Sequence, residues 1–311
     1  MTSFPLARYR LECEVRTPLR LPDYAGSTLR GAFGGALRAA SCMTKQKLCD
    51  GCPLLATCPY AAIFETRPPA GGTTLQDFSQ VPRPYVIEPP NWGARDYAPG
   101  EALAFHLVLA GRALEQLPLL LWAFARALAR GIGPGDGKAE LVRVVHVGET
   151  ETVVLAGPDE TVVAHAHAVP TGLTLADEAV TLHFETPLRL QRNGRALSAR
   201  DCDAATLLKA LVRRIALMHE FHAGGPLALD FKALAAAAHR IGERKDLRWR
   251  DWTRYSSRQQ QKMALGGVVG TWTLTGDLAP FLPFLHLGQW LHVGKEATFG
   301  LGGYRLASGL T

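Results

Sequence analysis

No stretch of this chain reaches about 18 uninterrupted apolar residues, the length a membrane-spanning helix needs. The longest apolar run, residues 117–125, is too short and is soon followed by Arg126 and Arg130. A membrane span is therefore not expected. The N-terminal MTSFPLARYRLECEV has no apolar core ahead of a small-residue cleavage site, so no secretion signal is expected either. A cytoplasmic setting follows, with thiols reduced and disulfides absent. The glycine loop GIGPGDGK, residues 131–138, lacks the GK[ST] ending of a nucleotide-triphosphate site, because Ala139 follows Lys138. It also precedes a strand-like stretch rather than a helix. His219 and His222 are three residues apart, whereas a zinc-protease helix spaces its histidines by four. They read as a partly buried polar edge. His165 and His167, in AHAHA, alternate as on a strand and are expected to face solvent.

The 311 residues, 47% of them hydrophobic, suffice for one large domain or two ordinary ones. The net charge of +6 is a mild basic excess that suits a polyanionic partner. The cations gather at Arg189, Arg192, Arg195 and Arg200, at Arg213 and Arg214, and from Arg240 to Arg258. Such runs can be no more than a solvated face. However, Trp249, Trp252 and Tyr255 interleave with Arg248, Arg250, Arg254 and Arg258. Aromatic faces stack bases while arginines hold phosphates, which points to nucleic acid.

The string TPLRL occurs twice, at residues 17–21 and 186–190. Each copy follows an alternating, strand-like stretch and precedes a helical one, at about 27–40 and 204–221. Later in each half comes an apolar helix, a glycine loop and a strand: LPLLLWAFARALARGIGPGDGKAELVRVV and APFLPFLHLGQWLHVGKEATFGLGGYRL. Extended stretches at 102–110 and 267–275 lie between. Both halves thus read βαββαβ, and the fold class is α+β with tandem ferredoxin-like domains. We place the domains at 1–170 and 171–311. The second half carries an extra helix at 229–241, followed by the basic aromatic segment. The proline-rich run 67–100 is not helical and holds at best an edge strand, PYVIE.

Cys42, Cys49, Cys52 and Cys58 follow the spacing C-x6-C-x2-C-x5-C, in an insertion at about 41–66. A C-x2-C knuckle with two further thiols nearby can close a tetrahedral thiolate site and fold a segment that has no core of its own. Structural zinc is the expected occupant. An iron–sulfur cluster and four free thiols are the alternatives. Four sulfur ligands leave no open position for catalysis.

Several stretches resemble the repeat-associated (RAMP) proteins of CRISPR systems, and among them the endoribonucleases that process CRISPR precursor RNA. They are GSTLRGAFGGALR, CDGCPLLATCPYAAIFE, RPYVIEPP with YAPGEALAFHLVLAG, GGVVGTWTLTGDL and LHVGKEATFGLGGYRL. The resemblance implies tandem ferredoxin-like domains and CRISPR repeat RNA as ligand. It also implies metal-independent cleavage, in which a ribose 2′-hydroxyl attacks the adjacent phosphate and leaves a 2′,3′-cyclic phosphate. Such chemistry needs a base, an acid and a cation.

In that family the final glycine loop faces the first helix. The resemblance therefore nominates His292 as acid or base, Lys295 or Arg30 for charge, and Tyr24 to orient the 2′-hydroxyl. Gly294, Gly300 and Gly302 would let the RNA backbone approach. Arg30 and Arg38 are eight residues apart, near one helix face, and would contact phosphate. Arg189, Arg192, Arg195, Arg250, Arg254 and Arg258 would add RNA contacts and selectivity. One departure stands out: many family members carry a catalytic histidine at the first helix, and here none precedes His106. The second reading is therefore a non-catalytic RAMP subunit that binds guide RNA beside other CRISPR effector subunits.

Overall fold

A computed structural model describes residues 4–67, 81–157, 160–167, 178–256 and 261–307, with side chains left aside at 254–256 and 261–264. The chain divides into two compact units. One comprises residues 2–170 with 218–226, and the other comprises 171–217 with 227–311.

In the first unit, β1 (Leu6–Val15) is followed by β2 (Leu19–Leu21), α1 (Gly26–Ser41) and α2 (Pro59–Phe64). Next come β3 (Tyr85–Glu88), β4 (Arg95–Tyr97), β5 (Ala102–Ala110), α3 (Leu117–Arg130), β6 (Ala139–Val147) and β7 (Glu151–Leu155). The sheet order is β3-β5-β1-β6-β7, all antiparallel. That is a ferredoxin-like sheet with one added edge strand. Tyr9, Leu11, Cys13 and Val15 alternate inward from β1 against Leu29, Phe33 and Leu37 of α1 and Leu120, Phe124 and Leu128 of α3. Phe33 and Phe124 stack at 4.4 Å where the two helices meet the sheet.

The outward residues of the same strands neutralise one another. Arg8 pairs with Glu88, Arg10 with Glu151, and Arg143 with Glu12. Arg143 holds Glu12, and Arg10 holds Glu151, below the ordinary carboxylate range. These paired cations are already matched on their own sheet, so the face is a poor electrostatic site for a polyanion.

The second unit repeats the plan. Its elements are β8 (Ala179–Leu188), the hairpin β9 (Gln191–Arg192) and β10 (Arg195–Ala196), α4 (Ala204–His222), α5 (Phe231–Ala238) and β11 (Gly242–Arg250). The pair β12 (Thr253–Ser256) and β13 (Gln261–Ala264) follows, then β14 (Gly267–Thr275), α6 (Leu282–Leu291) and β15 (Tyr304–Ala307). The sheet order β11-β14-β8-β15 is again ferredoxin-like. Trp272, Leu182, Phe184 and Tyr304 form its inner layer beneath Leu211 and Ile215 of α4 and Leu285 of α6. The basic aromatic segment is therefore partly an edge strand of this sheet. Its first stretch, β11, pairs with β14 along its full length, and only β12 and β13 project as an appended ladder. The last turn of α4 belongs to the first unit, where the buried His222 ring meets the Pro82 carbonyl at 2.7 Å.

No helix among the described residues is long and apolar enough to cross a membrane.

Candidate functional site

The site is built on the second TPLRL string. β8 ends in Thr186–Pro187–Leu188–Arg189, and the loop that closes α6 folds onto it. The Gly302 N–H donates to the Pro187 carbonyl at 3.0 Å, and the Lys295 N–H donates to the Arg189 carbonyl at 3.0 Å. The Thr186 hydroxyl donates to the Gly300 carbonyl at 2.7 Å and accepts from the Gly303 N–H at 2.8 Å. Gly294 sits at φ 90°, and a Cβ there would lie 2.7 Å from the Arg189 carbonyl oxygen. Gly302 sits at φ 69°, and a Cβ would lie 1.8 Å from the Val293 oxygen. These glycines let the loop close on its own strand, so their first task is intramolecular.

His292 lies inside this loop. It is 4% exposed at the C-cap of α6, with φ 57°. Its Nδ1 meets the Leu301 carbonyl at 3.2 Å, so that nitrogen carries the proton. The imidazole is a post that holds the loop's return arm, not a group open to a substrate. Lys295 is exposed, with its backbone pinned and its side chain in solvent. Arg214 of α4 supports the same corner, donating from Nε to the Leu291 carbonyl at 2.8 Å. Burial lowers its pKa. Sequence reasoning counted Arg214 only as part of a basic run.

Other nominated residues take structural partners. Tyr24 is 2% exposed and packs against Trp92 with ring centroids 4.9 Å apart. Burial raises its phenol well above the ordinary range. As placed, it is a packing residue that does not orient a ribose hydroxyl. Arg30 lies over the Phe64 ring at 4.2 Å. Arg38 lies over Tyr60 at 5.8 Å and donates to the Gln46 carbonyl and, at 2.9 Å, to the Lys47 carbonyl. Both arginines thus turn toward α2 and the cysteine segment. The exposed side of α1 carries Gly31 and Gly35 instead.

Arg189 donates to the Gly266 carbonyl at 2.7 Å. Arg192 pairs with Asp203 at 2.7 Å, and Asp203 caps the start of α4 through the Thr206 N–H. Arg195 is exposed on the β9–β10 hairpin. Arg250 is half-buried in β11, Arg254 is described as backbone alone, and Arg258 lies outside the described residues. Trp252 is 7% exposed, so it offers no stacking face, whereas Trp249 is 41% exposed.

The four cysteines line one cavity of about 80 Å³. Cys42 is the C-cap of α1 and Cys58 is the N-cap of α2. The Cys52 N–H reaches the Cys49 carbonyl at 3.3 Å and closes the knuckle. Among the described residues no three His, Cys, Asp or Glu side chains are grouped as a metal centre. The thiols share a cavity but are not drawn together as ligands.

His165 and His167 differ from the strand pair expected: His167 is exposed as expected, whereas His165 is half-buried. They lie on an irregular segment, and both rings meet Tyr9. Alternation alone suggested a strand, but no partner strand pairs with them among the described residues.

Residues 4–168 match a family model, the AF_1859 N-terminal domain. Residues 182–304 match that of the CRISPR-associated endoribonuclease Cas6. An uncharacterized protein of Archaeoglobus fulgidus is 24% identical over 317 residues, covering 98% of this chain and all of the relative. A Cas6 product complex superposes with a TM-score of 0.59 at 17% identity, over 97% of this chain and 100% of that one. Thermus thermophilus Cas6 gives 0.52 at 17%, over 99% and 100%. A partial Cas6-RT-Cas1–Cas2 complex gives 0.55 at 15%, over all of this chain and 47% of that one. At these identities the superpositions establish the fold.

Fold and loop together define a tandem ferredoxin-like protein of the RAMP type. The chain belongs to the family of that N-terminal domain model, joined here to a Cas6 domain, and so to the CRISPR-associated RNA-processing proteins.

Proposed function

We propose that this chain binds CRISPR repeat RNA and cuts it without a catalytic metal. The ribose 2′-hydroxyl attacks the adjacent phosphate and leaves a 2′,3′-cyclic phosphate and a 5′-hydroxyl. The observation that carries this reading is the closed glycine loop with Lys295 projecting from it. The product complexes among the similar Cas6 structures support RNA as the ligand. In this reading Lys295 stabilises charge on the attacked phosphate. His292 and Arg214 are positioning residues that hold the loop. Arg195 and the appended β12–β13 ladder add contacts outside the cut.

A second reading rests on the burial of His292 and Tyr24 and on an α1 without histidine. It is a RAMP subunit that holds guide RNA, beside other CRISPR subunits, and cuts nothing. One assay separates the two: end-labelled repeat RNA in excess EDTA, with Lys295→Ala alongside. A single cut that leaves a cyclic phosphate and weakens in the variant supports the nuclease. Tight binding with no cut sinks it in favour of the scaffold.

The cysteine segment is proposed to hold structural zinc, with Cys42, Cys49, Cys52 and Cys58 as ligands. The fit lies in four thiols around one cavity, in a segment whose residues 42–58 contribute no fully buried side chain. Lys45, Thr44 and Arg38 donate toward Cys42 and outweigh the effect of burial, lowering its pKa toward the thiolate a metal takes. Bound zinc would fasten the end of α1 to the start of α2. Metal analysis of the purified protein tests this: one zinc per chain is expected, and a coloured protein containing iron would replace zinc with an iron–sulfur cluster.

A further inference from the structure

Three imidazoles and a buried phenol meet at the end of the first unit's core, outside the glycine-loop site. Tyr9 of β1 is fully buried. Its hydroxyl lies 2.9 Å from His165 Nε2 and 3.3 Å from His167 Nδ1. The His165 ring centroid is 5.1 Å from that of His146 and 4.9 Å from that of His167. His146, on β6 directly opposite Tyr9, is 6% exposed, and its Nε2 is buried without a hydrogen-bond partner. His165 and His167 belong to residues 160–167, an irregular strap after β7. A backbone bond from the Val163 N–H to the Val154 carbonyl, 2.8 Å, fastens its middle.

The proton positions follow from the acceptors. The Val163 carbonyl can only accept, and it lies 2.9 Å from His165 Nδ1, so that nitrogen carries the proton. In the neutral ring His165 Nε2 must then accept, and the Tyr9 O–H donates to it. The Tyr9 oxygen in turn accepts from His167 Nδ1–H. The exposed His167 Nε2 can take one proton without breaking this chain. A second proton, on His165 Nε2, leaves the Tyr9 O–H facing two donors and no acceptor. Charging His146 instead adds a cation whose ring centroid lies 5.1 Å from that of His165 and 5.7 Å from that of Tyr9.

We infer that this cluster is a proton-operated latch: with at most one proton it holds the strap 160–167 on the sheet, and further protonation releases it. The strap lies between β7 and β8 in the sequence. The group is not a metal site as arranged, since both His165 nitrogens are spent on protein partners and no such centre is present among the described residues.

The surrounding charges leave the histidines to themselves. Arg8 and Arg10 alternate to the opposite face of β1 and are paired with Glu88 and Glu151. On β6, Arg143 is paired with Glu12. The electrostatic influences on His146 are His165 and His167, after burial, and all lower its pKa. Burial first, then His165, lower that of His167. A histidine whose folded pKa is depressed contributes stability that is complete above its unfolded value, about 6.5, and declines as pH falls below it. The latch is therefore closed at neutral pH and opens on acidification.

Hydrogen exchange read by mass spectrometry tests this on the whole chain at pH 7.5, 6.5 and 5.5, corrected for intrinsic exchange. Protection of residues 160–167 should fall by roughly tenfold per pH unit for each proton taken up. Amides of the interior strand β5, which pairs on both sides, should stay protected throughout. Tyr9→Phe removes the hydroxyl and should leave the strap weakly protected and insensitive to pH. Strap protection that does not change with pH overturns the inference. So does loss of β5 protection in step with the strap, and so does a Tyr9→Phe protein that keeps the wild-type dependence. A histidine NMR titration gives an independent check: His146 and His167 should titrate below the ordinary value, and ordinary values for both would also overturn it.

Discussion

The two glycine loops are one device at two lengths. In the first unit the Thr17 hydroxyl accepts from the Lys138 N–H at 2.8 Å, and in the second the Thr186 hydroxyl accepts from the Gly303 N–H at 2.8 Å. The Ile132 N–H donates to the Gly137 carbonyl at 2.8 Å, and the Val293 N–H to the Gly302 carbonyl at 3.1 Å. A Cβ on Gly133 would strike the Arg20 carbonyl oxygen at 2.3 Å, and one on Gly294 would strike that of Arg189 at 2.7 Å. This explains the repeated TPLRL: each copy is the floor on which its unit's loop closes. The difference lies between the matched glycines. The first loop needs only residues 134–136 there, while the second holds 295–301. The addition brings the exposed Lys295 and a short helical turn, Ala297–Phe299. It also needs support, and His292 supplies it where the first unit has Gly131. A non-glycine residue at positive φ is a strain that persists only when its surroundings hold it. Here the Leu301 carbonyl does so. One loop is structure alone, and the other is the same structure carrying something more.

The sharpest way to break this comparison is to erase the difference. Replacing residues 295–301 with the first loop's Pro-Gly-Asp, together with His292→Gly, keeps the matched Val293–Gly302 and Thr186–Gly303 bonds and should leave the second unit folded, at a cost of about 3–5 kcal/mol for the buried Phe299 and Leu301 it removes. RNA cleavage should fall by about a hundredfold or more, as misplacement of a positioned group does. Circular dichroism and the EDTA cleavage assay read the two halves of this prediction. Retained activity would move the site away from the loop.

Gly302→Ala comes next. Its Cβ would overlap backbone at 1.8 Å, and its φ of 69° is adverse besides. The loss should be about 3–5 kcal/mol in chemical denaturation. The matched Gly137→Ala should cost less. Its nearest clash is 2.5 Å, with Leu19 Cα, and its φ is not positive. Equal losses would mean that the two frames are stressed alike despite this geometry.

Much of this frame was legible beforehand, because it is local. The βαββαβ order, the paired TPLRL strings and the apolar helices before each loop are short-range patterns. What stayed hidden is set by the third dimension. The strand GERKDLRWR carries charge on both of its faces and so lacks an apolar alternation. It is an edge strand whose pairing with β14 overrides that pattern. His292 and Tyr24 have the right chemistry for a site, but they lie on the inner side of a loop and of a helix start, which spacing does not reveal. Arg30 and Arg38 do share one side of α1, and that side meets α2 and the cysteine segment. His165 and His167 reach Tyr9 across 156 and 158 residues, beyond any local signal.

Lys295→Ala sharpens the comparison without touching the frame. An exposed side chain should change stability by no more than about 0.5 kcal/mol. RNA affinity or cleavage should fall roughly 10- to 100-fold, the worth of one hydrogen bond to a charged group. The salt dependence of binding should lose about one phosphate contact. Lys138, in the short loop, is the control: Lys138→Ala should leave RNA binding unchanged, measured by filter binding at two salt concentrations.

The smallest effects are expected from the two threonines, and they test whether the loops are held alike. Thr17→Val removes the one hydroxyl bond to Lys138 N–H and should cost about 1 kcal/mol. Thr186→Val removes two, to the Gly300 carbonyl and the Gly303 N–H, and should cost about 2 kcal/mol. Valine keeps the shape, so the difference isolates the extra bond to Gly300, the residue that ends the helical turn of the inserted segment. If the two substitutions cost the same by urea denaturation, that bond contributes nothing net, and the longer loop rests on His292 and its backbone bonds to Pro187 and Arg189. A larger loss for Thr186→Val, with cleavage reduced and Lys295 intact, would show that the strand floor holds the added segment as well as the common frame.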